Sequence, residues 1–482
     1  MSGFTAFLAA AEAAGLLRRV VGRVDPGFEP GCFVKWMYQG LPESQRFGFL
    51  FTDVAGSAMP LGTAVLGASP ASYALALGVE PAAVNDRWEQ ALLAPRPVRV
   101  VATAPCQEVV HTGAAADLSR LPIPVWTPGR DAAPYITTVT VNRGTGAGHD
   151  YQNQGVYRTQ VRDPRHVIVN LAPGRQGHGL ARTWLDQGRP APIAWVIGAE
   201  PAVYLAAVAN LPPGVDELTV AGGLLGHPVD VVKAVTSDLL VPANAAIIIE
   251  GEVLPGQLAM EGPFGESAGY MSEPGLRPVA RITAITHRHD PVYYGLASQM
   301  PPSESTTLQS LSNAALIRKL LRHDWGEPGV RDCWIDAMFG GGAAHLVVSL
   351  ETTGPGHARR VGRLLAERTP LKRITLVDPD IDVRDRTDLD WVMSSHFDPA
   401  RDTEIIGGFP APMDHAVTPD AGGRKLGSKL VIDATRSLAT GPVSLPPADL
   451  MERARTAWSA VGLPDPGAAD RLWRRLGRPA GK

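Results

Sequence analysis

AAIIIEGEV, residues 245–253, is the stretch that decides the fold. Its β-branched residues and rough alternation read as a strand. Outward from it the pattern recurs. YITTVTVNR (135–143), HVIVNLA (166–172) and IAWVIGA (193–199) precede it, and ARITAITHR (280–288) follows. The chain from 134 to about 300 is therefore strand-dominated, with one helix expected at about 215–235.

The flanks read differently. Residues 5–20 and 82–93 are expected as helices, with short strands such as VRVVATA (98–104) around them. The prolines of LSRLPIPVWTP (118–128) interrupt both periodicities, so it is a connector. SESTTLQSLSNAALIRKLLRH (303–323) has apolar residues at helical spacing and predicts a long linking helix. Beyond it come a strand at 344–351, a helix at 356–368, a strand at 373–378, mixed structure to 434 and a helix near 447–461. The fold class is mixed α/β. Its parts are an N-terminal α/β region (1–117), a β-rich domain (118–302), a linking helix (303–325) and a C-terminal α/β domain (326–482).

Composition bounds the function. A net charge of −3 gives no basic footprint, which argues against nucleic acid as a partner. Cys32, Cys106 and Cys333 are too scattered for a CxxC metal motif, and they fit a reducing cytoplasm. The start, MSGFTAFLAAAEAAGLLRRV, is broken by Glu12 and Arg18–Arg19 and reads as an amphipathic helix, not a signal peptide. No run approaches the roughly 20 apolar residues of a membrane helix.

Four segments carry chemistry. In NQGVYR (153–158), Asn153 offers a neutral oxygen and Arg158 a planar fork of donors suited to a carboxylate. A half-exposed strand with a surface arginine fits the same letters. APGRQGHGLARTW (172–184) sets His178 between glycines, with Arg175 near enough to meet a phosphate; a plain glycine-rich turn fits equally. PPGVDELTVAGGLLG (212–226) opens a helix with Asp216 and Glu217, which complement the helix dipole or, for Glu217, bind a metal. Asn, His and Glu together suit Mn²⁺ or Mg²⁺ better than structural zinc. MEGPFGESAGY (260–270) places Glu261 and Glu266 around a Gly-Pro-Phe-Gly turn. Two carboxyls brought together there have separable pKa values, and one is then free to act as a general acid. The same segment contains GESAG, the pattern of a hydrolase nucleophile elbow at Ser267, without the strand-then-helix context that mechanism requires.

In this order, the segments resemble the UbiD family of prenylated-flavin-dependent decarboxylases, including the ferulic acid decarboxylases. N-x-x-x-x-R, a Gln/His-containing glycine loop, PxGVxE and EGPFGE come first; VDPDIDVRD (377–385), DLDWVMSSHFDPARD (388–402) and SKLVIDAT (428–435) follow. The resemblance runs from about 100 to 435. It implies a split β-barrel flavin domain at the centre and prenylated FMN held through Mn²⁺ or Mg²⁺, often with K⁺. Asn153, His178 and Glu217 would be the metal ligands, with Gln176 nearer the family's histidine position when counted back from Trp184. Asn153, Gly155, Val156, Tyr157, Arg158, Arg175, Gln176, His178, Glu217 and Lys429 would line the cofactor. Arg158, Glu261 and Glu266 would be the catalytic set.

The implied reaction is non-oxidative, reversible decarboxylation of an α,β-unsaturated or (hetero)aromatic carboxylic acid bonded covalently to the flavin, with Glu266 as proton donor. The implied partners are that acid, a flavin prenyltransferase supplying the cofactor, and further copies of the chain in a homodimer or higher homo-oligomer. Two alternatives stand beside it: a serine hydrolase using Ser267, and a flavin-binding protein without turnover. The retained acid pair argues against the latter.

Overall fold

A computed structural model describes residues 3–336, 345–410, 414–436, 443–467 and 469–476. They form two compact units, one ending at Leu316 and one beginning at Ile317. Within the first unit lie the expected N-terminal region, the β-rich domain and most of the linking helix.

The first unit is organised by an antiparallel, curled sheet of nine strands. Its spine is the hairpin of Ile247–Glu261 and Gly275–His287. The opening stretch is the start of this hairpin: Ile247, Ile248 and Ile249 are fully buried. Ala191–Ile197 and then Val139–Arg143 pair outward on one side, ending at Gln152–Val156. His166–Val169 and Thr159–Asp163 pair outward on the other. The chain segment linking Gln152–Val156 to Thr159–Asp163 therefore passes between the two wings of the sheet, and Tyr157 and Arg158 are that segment.

A smaller sheet belongs to the chain's start. Leu17–Val24 pairs parallel with Gly48–Val54, which pairs with Leu61–Thr63. Its fourth strand, Tyr293–Tyr294, comes from far along the sequence. Nearby, Glu304 opens the long helix Glu304–Lys319 and has no exposed surface. Its carboxylate accepts from the backbone N–H of Ala64, Leu66 and Ala297 and from the Tyr294 hydroxyl, at 2.6–3.0 Å. Burial raises its pKa despite those donors.

The second unit carries a five-stranded sheet in the order Val330–Ile335, His345–Leu350, Arg373–Val377, Leu426–Asp433, Thr403–Pro410. Its three central strands are parallel. The acidic VDPDIDVRD stretch is neutralised by arginines: Asp380 pairs with Arg436, Asp382 with Arg474 at 2.9 Å, and Asp385 with Arg471 at 2.5 Å.

Three expectations need correction. The helix expected over 5–20 is Phe4–Ala13, followed by the strand Leu17–Val24. Gly15, at φ 74°, ends the helix, and the β-branched Val20, Val21 and Val24 favour the extended form. The helix expected at 215–235 is Glu217–Leu225, stopped by Gly226 at φ 81° with Pro228 just beyond; Asp230–Lys233 is a strand. The glycine-rich loop at 172–184 contains a helix, Gln176–Leu185. There, packing by buried Leu180 and Ala181 overrides glycine's poor helix propensity. Among the described residues, no helix is long and apolar enough to cross a membrane.

Candidate active site

The strand end at 152–156 delivers Arg158, and the end of Ile247–Glu261 delivers Glu261. Arg158 Nε donates to Glu261 Oε1 and Nη2 donates to Oε2, both at 2.9 Å. Such a parallel pair is the strong form of an arginine–carboxylate contact. Nη1 donates to Glu266 Oε1. The turn after Glu261 thus returns Glu266 to the arginine, closed by Glu266 N–H to Tyr270 O at 2.8 Å and Gly269 N–H to Glu266 O at 2.9 Å.

Exposure separates the two acids. The Glu261 side chain is 0% exposed and that of Glu266 is 23% exposed. Burial opposes the guanidinium charge, but the bonds to Glu261 and the charge of Glu266 hold its pKa above the ordinary value. The Phe264 ring lies 5.3 Å from the guanidinium carbon.

Sequence reasoning missed the groups that fix this triad. Ser272 Oγ accepts from Arg158 Nη2 at 3.2 Å and from Phe264 N–H at 3.1 Å. Gln160 Oε1 accepts from Gly262 N–H at 2.9 Å and from the Tyr135 hydroxyl at 3.0 Å. Asp131 Oδ1 accepts from Gly265 N–H at 3.0 Å. Ser272, Gln160 and Asp131 have no local signal in the sequence.

A second cluster lies on the same segment. Asn153 Nδ2 donates to Glu217 Oε1 at 2.7 Å, and Gln154 N–H donates to Glu217 Oε2 at 2.9 Å. Asn153 and Glu217 are both buried. Burial pushes the Glu217 carboxyl up to about 7. The Tyr157 hydroxyl donates to Asn153 Oδ1 at 3.1 Å and accepts from Gly177 N–H at 3.0 Å. Gly155 and Gly177 form the slot for its ring: a Cβ on either would come within 2.8 Å of Tyr157 carbons. Tyr157 lies in sequence between Asn153 of this cluster and Arg158 of the triad, and it bonds to Asn153.

The remaining candidates spread out. Val156 is half-buried beside Gly155, and Arg175 is exposed just before the helix Gln176–Leu185. Gln176 Nε2 donates to Leu211 O at 3.3 Å. His178 Nδ1 lies 3.1 Å from Leu171 O. Lys429 belongs to the second unit, where its ammonium donates to Ala366 O at 2.5 Å and to Thr369 O and sits 3.9 Å from the Phe409 ring centroid. Ser267 lies in the turn after Glu266, and the next regular element is the strand Gly275–His287. An elbow serine needs a helix there. GESAG is therefore a turn, not a nucleophile elbow.

The 3-octaprenyl-4-hydroxybenzoate carboxy-lyase Rift-related domain of UbiD matches residues 98–301, and the C-terminal domain of that carboxy-lyase matches 306–434. A dimeric, evolved form of the UbiD-class enzyme HmfF from Pelotomaculum thermopropionicum, in complex with prFMN, is 31% identical, over 93% of this chain and 98% of that one, with a TM-score of 0.80.

This chain belongs to the UbiD family.

It is accordingly an enzyme of the carboxy-lyase class, in a family of prenylated-FMN-dependent decarboxylases. Two further UbiD relatives extend the comparison. Vanillic acid decarboxylase from Sedimentibacter hydroxybenzoicus, in closed form, is 26% identical over 96% of this chain and 99% of that one, with a TM-score of 0.83. The apo 3,4-dihydroxybenzoic acid decarboxylase from Enterobacter cloacae is 25% identical over 94% and 99%, with a TM-score of 0.81. The curled sheet and the several α/β parts of this chain are those of the UbiD fold.

Proposed function

We propose that this UbiD protein binds prenylated FMN and non-oxidatively, reversibly decarboxylates an α,β-unsaturated or (hetero)aromatic carboxylic acid. The observation that carries the reading is the Glu261–Arg158–Glu266 triad, one acid sealed and one reachable. The prFMN complex of HmfF supports the choice of cofactor.

The residues divide the work. The Arg158 guanidinium attracts and orients the substrate carboxylate, being fixed on its other edge by Glu261. The prenylated flavin, when bound, supplies the electron sink for carbon–carbon cleavage. Carbon dioxide leaves, and the electron pair stays on the former α-carbon. Glu266, in its acid form, transfers its proton to that carbon and becomes a carboxylate beside Arg158. Solvent reprotonates it through its exposed edge; run backwards, the same carboxylate removes the proton. Glu261 cannot take this role, because it has no exposed surface and both its oxygens are held by Arg158. Its function is to position.

A divalent metal fits the second cluster. Asn153 and Glu217 offer hard oxygen donors in one buried place, the chemistry that Mn²⁺ and Mg²⁺ select. Tyr157 ties that place to the helix Gln176–Leu185, where Arg175 is available for the flavin phosphate.

The test is mass spectrometry of the cofactor from chain co-produced with a flavin prenyltransferase, followed by a screen of unsaturated and aromatic acids for carbon dioxide release. Recovery of unmodified FMN alone, with no acid turned over, would refute the reading.

A further inference from the structure

We propose that Gln299 is a positioning residue for the proton donor: its side chain backs the turn that carries Glu266 and keeps that carboxyl against Arg158. This rests on the reading of Glu266 as the acid.

Two penalties meet at Gln299. Its φ of 77° is a left-handed conformation that residues with a Cβ seldom adopt. Its side chain is buried, and neither end of its amide has a hydrogen-bond partner. Buried polar groups are rarely left so. Costs of this kind persist where the surrounding structure imposes them, and they gather at functional sites.

Here the surroundings impose them. The Glu304 carboxylate accepts from Ala297 N–H at 3.0 Å, Lys35 Nζ donates to Ser298 O at 2.8 Å, and Gln39 Nε2 donates to Pro301 O at 3.2 Å. Lys35 and Gln39 stand on the helix Glu29–Gly40, ahead of the matched Rift-related domain. Gln299 and Met300 lie between these anchors.

Both of them meet the acid's turn. Phe264 and Glu266 face Arg158. Gly265 stands between them in a segment bridged to Met271, so its own side-chain direction is the opposite one. A Cβ there would lie 2.5 Å from Gln299 Cγ. Beyond the acid, a Cβ on Gly269 would lie 2.9 Å from Met300 Sδ. The two glycines that bracket Glu266 thus rest on two successive side chains of one anchored stretch. The stem of Gln299 fills the space behind Gly265. Without it, the turn is free to withdraw Glu266 from the arginine.

The experiment uses the full chain loaded with prenylated FMN, with cinnamic and 3,4-dihydroxybenzoic acids as probes. Hydrogen–deuterium exchange of the same variants is read by mass spectrometry. Gln299→Ala should lower kcat about 10–100-fold with KM within about twofold, as a misplaced group does. The amides of Glu266 and Gly269 should then exchange about tenfold faster, while those of the strand at 247–253 keep wild-type protection. Gln299→Met keeps the stem and replaces the unpartnered amide, so it should match wild type in both readouts. Gly265→Ala should lower kcat, and adding Gln299→Ala should recover part of that loss. Wild-type kcat and exchange in Gln299→Ala overturn the inference. A Gln299→Met variant that loses as much as Gln299→Ala also overturns it, because the amide then carries the role. Strictly additive losses in the double variant do the same. Where neither acid is turned over, the exchange pattern alone decides. If Glu266→Gln turns over at the wild-type rate, the acid assignment falls and this inference with it; an inactive Glu266→Gln beside a wild-type-like Gln299→Ala removes this inference alone.

Discussion

Arg158 and Glu261 are joined by two parallel hydrogen bonds of 2.9 Å, Nε to Oε1 and Nη2 to Oε2. The pair leaves Nη1 as the edge that meets Glu266. Arg158→Lys keeps the charge but loses the fork. We expect kcat/KM to fall about 100-fold, as for a misplaced orienting group. Arg158→Ala leaves Glu261 buried and unpaired, and about 3–5 kcal/mol of stability should be lost. Steady-state kinetics and denaturant unfolding read the two effects separately; a fully active lysine variant would contradict the orienting role.

Glu266→Gln removes the transferable proton while keeping the shape. Turnover should fall by about 10²–10⁴-fold, the usual contribution of a positioned acid. Flavin content, read from the absorbance of the purified protein, should stay at wild-type level. A variant that still decarboxylates at the wild-type rate sinks the assignment.

Two glycines in one helix should respond oppositely. A Cβ at Gly177 would strike the Tyr157 ring, whereas a Cβ at Gly179 meets nothing within 4 Å. Gly177→Ala should cost about 1–3 kcal/mol through overpacking and loosen flavin binding. Gly179→Ala should stabilise by up to about 1 kcal/mol through helix propensity. Thermal melts and flavin retention distinguish them, and matching behaviour would exclude the tyrosine slot.

Ser267 should be dispensable for bond cleavage. Ser267→Ala should keep decarboxylase turnover, and a fluorophosphonate probe should leave the wild-type chain unlabelled. Stoichiometric labelling at Ser267 would reopen the hydrolase reading.

Lys35 gives a pH signature. Its ammonium donates to Ser298 O at 2.8 Å, and burial lowers its pKa to about 8, with the charge of Asp131 partly opposing. The folded chain therefore gives up this proton before the unfolded chain does. Between about pH 8 and the ordinary lysine value of 10.5, the unfolded state binds more protons, so stability from this group rises with pH. Below that window the burial cost is present in full. Lys35→Met should abolish the rise, seen as the difference between the two proteins' denaturation midpoints across pH 7–10.5. Parallel curves would show that Lys35 does not titrate in this way.

Much of the framework was legible because its signals are local. The strands 247–261 and 275–287 are written in their β-branched runs, and Glu261 and Glu266 are written in a turn motif. Ser272, Gln160 and Asp131 were not legible. Each acts through a hydrogen bond to a residue distant in sequence or across a turn, and a lone serine, glutamine or aspartate has no pattern of its own. The helix at 176–185 was hidden for another reason. Its two glycines argue for a loop, and only the packing of Leu180 and Ala181 reverses that. The helix over 5–20 failed at Gly15, whose left-handed φ ends it before the arginines.

The pairing of Tyr293–Tyr294 with Leu61 and Gly62 bears on how the chain is made. On the ribosome, the first sheet waits for its last strand until some 230 further residues have been synthesised. Until then the edge at Leu61–Thr63 is open, and the Ala64 and Leu66 amides lack the Glu304 carboxylate. A fragment cut after residue 117 should therefore be a poor substitute for the N-terminal region, prone to aggregation at that edge. Nascent chains stalled before Tyr294 should remain protease-sensitive at their N-terminus.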